Sequence, residues 1–156
     1  MNCQRSTDDL YDRPGFLIRR AHQIAVSLFL EETAELRVTT SQYCILFLLS
    51  HRSKLDQITV ARLLGLDRST TAMVVKSLEG AALIARGRNK IDKRRQNLEL
   101  TPAGRALLAK LDRPASSAVR RLLQPFSPAE RVTLLKLLKK LTDAFNESAR
   151  VPLLPR

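Results

Sequence analysis

From Pro14 onward, Leu17, Ala21, Ile24, Ala25 and Leu28 recur at spacings of three and four, placing them on one face of a helix over residues 14 to 34. Thr39 followed by Gln42 fits a capping box, and the run Tyr43-Cys-Ile-Leu-Phe-Leu-Leu behind it has no polar face. It reads as a short helix buried all round; a buried strand is the alternative, because periodicity does not separate the two in so short a run. Ile58, Val60, Ala61, Leu63 and Leu64 then lead to Gly65, and Asp67-Arg68-Ser69-Thr70 opens the next segment. The form is helix, glycine turn, helix, with Gly65 suited to the turn and Asp67 able to cap the second helix. In that helix Thr70, Val74 and Leu78 are expected to share the inner face, leaving Arg68, Ser69, Ala72, Met73 and Lys76 largely on the other.

Leu83 to Arg88 and Asn97 to Thr101 come close to alternating apolar and polar residues, as two short strands covered on one face should. With the charged stretch Asn89 to Gln96 between them they form a hairpin, the wing of a winged helix-turn-helix. Thr101-Pro102 starts a helix through Leu107, Leu108 and Leu111. Pro114 is expected to kink or break it near Asp112 before Ala118, Val119 and Leu122 resume the stripe. Ser127-Pro128-Ala129-Glu130 is a complete start signal for a last helix, whose Leu134, Leu138, Leu141 and Phe145 make it too apolar to stand alone. The expected fold is therefore mainly α with a small β-hairpin wing (α+β), a winged helix-turn-helix flanked by N- and C-terminal helices. Its parts are a helical region, 1–38 and 106–150, a winged helix-turn-helix, 39–105, and a tail, 151–156, expected to be disordered; the partners of the first two follow from charge, resemblance and apolar stripes.

Composition supports this picture and adds a partner. The 156 residues are 44% hydrophobic and only 4% aromatic, without tryptophan, so the core is aliphatic. Formal net charge is +12, distributed as −1 over residues 1–51, +7 over 52–105 and +6 over 106–156. Such an excess repels itself unless it meets a polyanion. The densest cluster, Arg86, Arg88, Lys90, Lys93, Arg94 and Arg95, is opposed only by Asp92 and occupies the wing, where it can reach phosphates or the minor groove. An anionic membrane is the competing partner, but there is no basic amphipathic helix with a broad apolar face. The longest uncharged apolar run, Tyr43 to Leu49, is too short to span a bilayer, and Met1 to Asp9 is polar and mixed in charge. The expected location is cytoplasmic and nucleoid-associated.

Cys3 and Cys44 are too few and too separated for a metal cluster or a disulfide scaffold. Cys44 reads as a small core residue, and Cys3 lies in a polar terminus. His22 and His51 are the two histidines, and no nucleophile motif, phosphate-binding loop or metal-spaced cluster accompanies them, so neither catalysis nor a cofactor is expected.

Four segments together resemble the MarR-type transcriptional regulators: Leu63-Leu64-Gly65-Leu66-Asp67-Arg68-Ser69-Thr70; Leu78-Glu79 with Leu83-Ile84-Ala85-Arg86; Asp92-Lys93-Arg94; and Leu98-Glu99-Leu100-Thr101-Pro102-Ala103-Gly104. They stand in the family's order and spacing, and the flanking helices agree in number and position. The resemblance implies that the helix from about 68 to 80 enters the major groove, with Arg68, Ser69, Thr71, Ala72, Met73 and Lys76 meeting base edges and phosphates. Arg68 is the first choice for a guanine reader, since a guanidinium donates twice to O6 and N7; a plain phosphate contact is its alternative role. The resemblance also implies that Arg94 probes the minor groove, held by Asp92. One departure stands out. The family usually has glycine where this chain has Ala82; a positive φ there would strain alanine by roughly a kcal/mol, unless Gly80 ends the helix instead.

Wide apolar stripes on the first and last two helices exceed what a small winged helix can cover, which points to a homodimer. Membership would add intertwined helices across a twofold axis and a pseudo-palindromic operator, released by a small aromatic acid or its thioester. Arg20, His22 and Tyr43 are the candidate effector residues; for each the plainer role, as a solvated, ordinary helical or core residue, stands beside it. A constitutive architectural protein that coats DNA without sequence choice is the alternative function.

Overall fold

The computed structural model describes residues 7–52, 55–88 and 96–154. A short helix α1 (Asp8–Tyr11) precedes α2 (Pro14–Glu32), which starts at its proline and runs over the span that the apolar repeat predicts. After a 3-10 turn at Ala34–Leu36, Thr39 opens α3 (Thr40–His51) with a complete capping box: Gln42 N–H donates to Thr39 Oγ1 at 3.2 Å, and Thr39 N–H donates to Gln42 Oε1 at 2.9 Å. The ambiguous run is thus a helix. It is not buried all round, however. Ile45, Leu46 and Leu49 are buried, whereas Cys44 and Phe47 are exposed, so Cys44 is not a core residue.

A two-residue strand, β1 (Leu55–Asp56), leads into α4 (Gln57–Leu64). Asp56 caps that helix by accepting from Thr59 N–H at 2.7 Å. Gly65 takes a left-handed φ of 65°, and α5 (Arg68–Gly80) follows. Beyond it β2 (Ile84–Arg88) and β3 (Gln96–Leu100) pair antiparallel, Ile84 opposite Leu100 and Arg88 opposite Gln96, with β1 on the other side of β3. Alternation along β3 is imperfect, because Asn97 and Leu98 are both buried. No expectation covered β1, which at two residues is too short to alternate.

α6 (Pro102–Leu123) is capped by Thr101 and continues through Pro114. The break expected near Asp112 does not occur. Proline removes one amide donor, and the carbonyl left without it, on Lys110, belongs to an exposed residue that water reaches. α7 (Pro128–Ala144) begins with the Ser127/Glu130 capping box, and Arg131 holds the preceding turn by donating to the Phe126 and Leu123 carbonyls.

Two clusters form the interior. The larger joins Ile45, Leu46 and Leu49 of α3 to Val60, Val75, Leu78, Ile84, Leu98 and Leu100, tying the helix-turn-helix to the hairpin. The smaller is Phe29 of α2 with Ala115 and Ala118 of α6, against which Tyr43 of α3 packs. Arg121 reinforces the α2–α6 pairing, with contacts of 2.9 Å to Glu31 and 2.8 Å to Glu32. The α7 face has no such cover among the described residues. Val132, Leu137 and Phe145 are 69%, 58% and 61% exposed. The tail differs from expectation over 151–154. Leu153 exchanges hydrogen bonds with the Asn146 side chain, Leu154 N–H donates to the Arg62 carbonyl at 3.1 Å, and the Leu153 side chain lies over Gly65.

Candidate functional site

Asp67 organises the start of α5. Its carboxylate accepts from Ser69 Oγ at 2.6 Å, from Thr70 N–H at 2.8 Å and from Thr70 Oγ1 at 2.8 Å. These bonds, the Ser69 hydroxyl first and then the Thr70 amide and hydroxyl, hold the carboxyl well below the usual carboxylate range. At the inner end Gln42 Nε2 donates to Ser77 Oγ at 3.1 Å, so the residue that caps α3 also fixes α5.

The inner stripe of α5 is Thr71, Val75 and Leu78, with Thr70 and Val74 half-buried. Thr71 and Val75 thus take the places expected of Thr70 and Val74, while Leu78 is buried as expected. Thr71 is therefore removed from the candidate contacts: it is fully buried, and its hydroxyl donates to the Asp67 carbonyl at 2.8 Å. Arg68, Ser69, Ala72, Met73 and Lys76 all lie on the exposed face. Arg86 also changes role. Its guanidinium grips Glu79 at 2.7 and 3.2 Å and reaches Gln57 at 3.3 Å, so it ties the hairpin to α5 and α4 instead of standing free for phosphate. Arg88 closes β2. Asp92, Lys93, Arg94 and Arg95, and the pairing of Asp92 with Arg94, lie outside the described residues, as does Cys3.

Ala82 does adopt the left-handed conformation, with φ 55°, while Gly80 is the last helical residue and needs no positive φ. The end of α5 is a Schellman motif in which Leu83 N–H donates to Leu78 O and Ala82 N–H to Glu79 O, both at 2.9 Å. Thr101 then locks the start of α6 onto this turn, its hydroxyl 2.8 Å from Ala82 O and 3.0 Å from Leu83 O.

A cavity of about 540 Å³ opens where α2, α3 and α6 meet. His22 and Tyr43 both line it, as the sequence suggests; Arg20 does not. The cation on its wall is Arg120 of α6, beside Ser116, with Thr40 and Phe29 opposite. Arg120 carries no local signal that singles it out, although Ala118, Val119 and Leu122 mark the stripe on its helix that faces the cavity. Partial desolvation on the cavity wall pushes the Tyr43 phenol up in pKa, and likewise the Cys44 thiol although that residue is exposed, so both are protonated at neutral pH. A second cavity, also about 540 Å³, lies across Tyr43 and is lined by Phe47, His51, Arg105 and Asp112. Among the described residues no group of His, Cys, Asp and Glu could hold a metal ion, and no helix is long and apolar enough to cross a membrane.

The MarR family model matches residues 38–95. A putative transcriptional regulatory protein for the hcr operon of Thauera aromatica is 34% identical over 128 residues, covering 81% of this chain and 77% of that one. The PcaV transcriptional regulator of Streptomyces coelicolor, solved with its natural ligand, superposes with a TM-score of 0.82 at 33% identity, over 90% of this chain and 99% of that one. The transcriptional repressor CouR, solved bound to a 23-mer DNA duplex, gives 0.81 at 28% identity, over 89% and 99%. CouR has also been solved bound to p-coumaroyl-CoA. With the helix-turn-helix, hairpin and flanking helices all in place, the chain belongs to the MarR family, whose members are DNA-binding transcriptional regulators and not enzymes.

Proposed function

We propose that this chain is a repressor that binds a pseudo-palindromic operator as a homodimer and leaves it when a small aromatic acid, or its thioester, enters the cavity between α2, α3 and α6. The observation that carries the reading is where the cavity lies. Its α3 wall also holds the recognition helix, through Gln42 to Ser77 and through Ile45 in the core shared with Val75. Its other walls, α2 and α6, carry apolar side chains that are exposed in the single chain, including Leu17, Ile24 and Val119. A second copy covers them, together with the face of α7, and makes the helical region, 1–38 and 106–150, the dimerisation part.

A twofold dimer places two α5 helices in major grooves about one helical turn apart, near 34 Å. A ligand between α3 and the dimer helices shifts the angle between reading head and dimer core, and with it that spacing. It acts only to the extent that it binds the released form more tightly than the DNA-bound form. Phe29 and Tyr43 offer ring faces to an aromatic group, while Arg120 and His22 offer partners to its carboxylate. PcaV with its natural ligand and CouR with p-coumaroyl-CoA support this placement by analogy.

Selection of bound duplexes from a random pool, repeated with aromatic acids and their thioesters, tests the proposal. The expected outcome is one enriched palindrome, released by a ligand that no longer acts on Arg120→Ala although that variant still binds DNA. Arg68→Ala should relax preference at particular base pairs, whereas Arg94→Ala should weaken all sites and lower the salt dependence. Equal binding to all sequences would favour a DNA-coating protein. A monomer by light scattering at micromolar concentration would overturn the dimer.

A further inference from the structure

We propose that Met73, with Ala72 beside it, reads a thymine methyl group in each half-site, an inference that rests on the DNA-binding reading above. Met73 is two residues from both Thr71 and Val75, which are fully buried, so it stands about 200° round the helix from each and points straight away from the core. It is 67% exposed, the most exposed large apolar side chain on α5.

The neighbouring polar groups leave it this role. Ser69 has already turned its hydroxyl proton to Asp67, Ser77 accepts from Gln42, and Thr71 is inside. Apart from the remaining bonding capacity of the Ser69 and Ser77 hydroxyls, the outer face offers bases a pair of cations, Arg68 and Lys76, and a pair of apolar side chains, Ala72 and Met73. Ile58 of α4, 51% exposed, lines a shallow cleft with Arg68 and Ala72 and extends the apolar strip. A basic surface with an apolar crown fits a polyanion whose groove carries methyl groups. In the major groove that group is C5-methyl, present on thymine alone among the four bases. Five residues of helix rise separate Arg68 from Met73, so the thymine falls within about two or three base pairs of the Arg68 contact.

The test uses the duplex selected from the random pool, resynthesised with each thymine in turn replaced by deoxyuridine, which removes only the methyl. For the full-length protein, at least one position per half-site should bind about fourfold more weakly with uracil, the cost of one methyl left uncovered. Met73→Ala should bind both versions alike, and Met73→Leu should keep the preference. Wild-type protein indifferent to uracil at every position, or Met73→Ala with undiminished discrimination, would overturn the proposal while leaving sequence-specific binding intact. A pool in which no sequence is enriched would overturn both readings together.

Discussion

Gly104 is the third residue of α6, and a methyl group there has no room. A Cβ at this position would run into the Leu83 carbonyl oxygen, 3.1 Å from its carbon and 2.8 Å from Leu100 Cδ1. The carbonyl cannot yield as a side chain end would, because Thr101 N–H donates to it at 3.1 Å and the Thr101 hydroxyl lies 3.0 Å away. In Gly104→Ala, α6 must therefore back away from the end of α5, straining or losing the cap in which Gly104 N–H donates to Thr101 Oγ1. Overpacking costs about 1–3 kcal/mol and the lost cap about 1 more, while alanine in place of glycine in a helix returns about 0.5–1. The net is a destabilisation of about 1–3 kcal/mol, or roughly 3–10 °C in Tm for a chain of this length. Urea denaturation at one fixed protein concentration measures it, since the proposed dimer would make stability concentration-dependent. Helix propensity alone gives the opposite sign. Gly80→Ala is the control: an added Cβ there meets nothing within 4 Å, so the same substitution should stabilise. A higher urea midpoint for Gly104→Ala than for wild type would refute the packing account.

Ala82→Gly should stabilise by about 0.5–1 kcal/mol, because glycine relieves the left-handed φ of 55° and loses some of that gain to its freer unfolded chain; an unchanged thermal midpoint would show the strain to be absent. Asp67→Asn should narrow the stability difference from wild type between pH 7 and pH 3. A carboxylate whose folded pKa is depressed contributes above its unfolded pKa and loses that contribution as pH falls towards the folded value, and asparagine caps at either pH. A difference that does not change with pH would count against the role given to Asp67. Ending the chain at Ala149 should cost about 1–2 kcal/mol by removing the Leu153 and Leu154 hydrogen bonds, and should loosen the Gly65 turn in hydrogen exchange. Full stability without the tail would mean that these bonds are exchanged evenly for water.

The sequence by itself determined the features set by residues a few positions apart. Thr39 with Gln42, Asp67 with Thr70, Thr101 with Pro102, and Ser127 with Glu130 each start the helix they announce, because a cap is made by neighbours on the chain. Gly65 is legible for the same reason. The structure also places Ala82 in the left-handed conformation, the strain that its departure from the family pattern raised.

Only the tertiary structure decided which of several equivalent residues takes a role. Thr70 and Thr71 look alike in sequence, but the direction of the core buries the second. Arg86 belongs to a run of cations, yet packing of β2 beside α5 brings Glu79 to it. Arg20 and Arg120 carry the same charge, but the pairing of α2 with α6 puts only the second on the cavity wall. Cys44 reads as core because its neighbours in sequence are apolar, but α2 and α6 leave an open cavity over that side of α3, and the residue stays exposed. The tail reads as loose until Asn146 and the carbonyl of Arg62 are brought beside it. In each case the deciding partner is remote in sequence, so its position follows from how the elements pack and not from any local pattern.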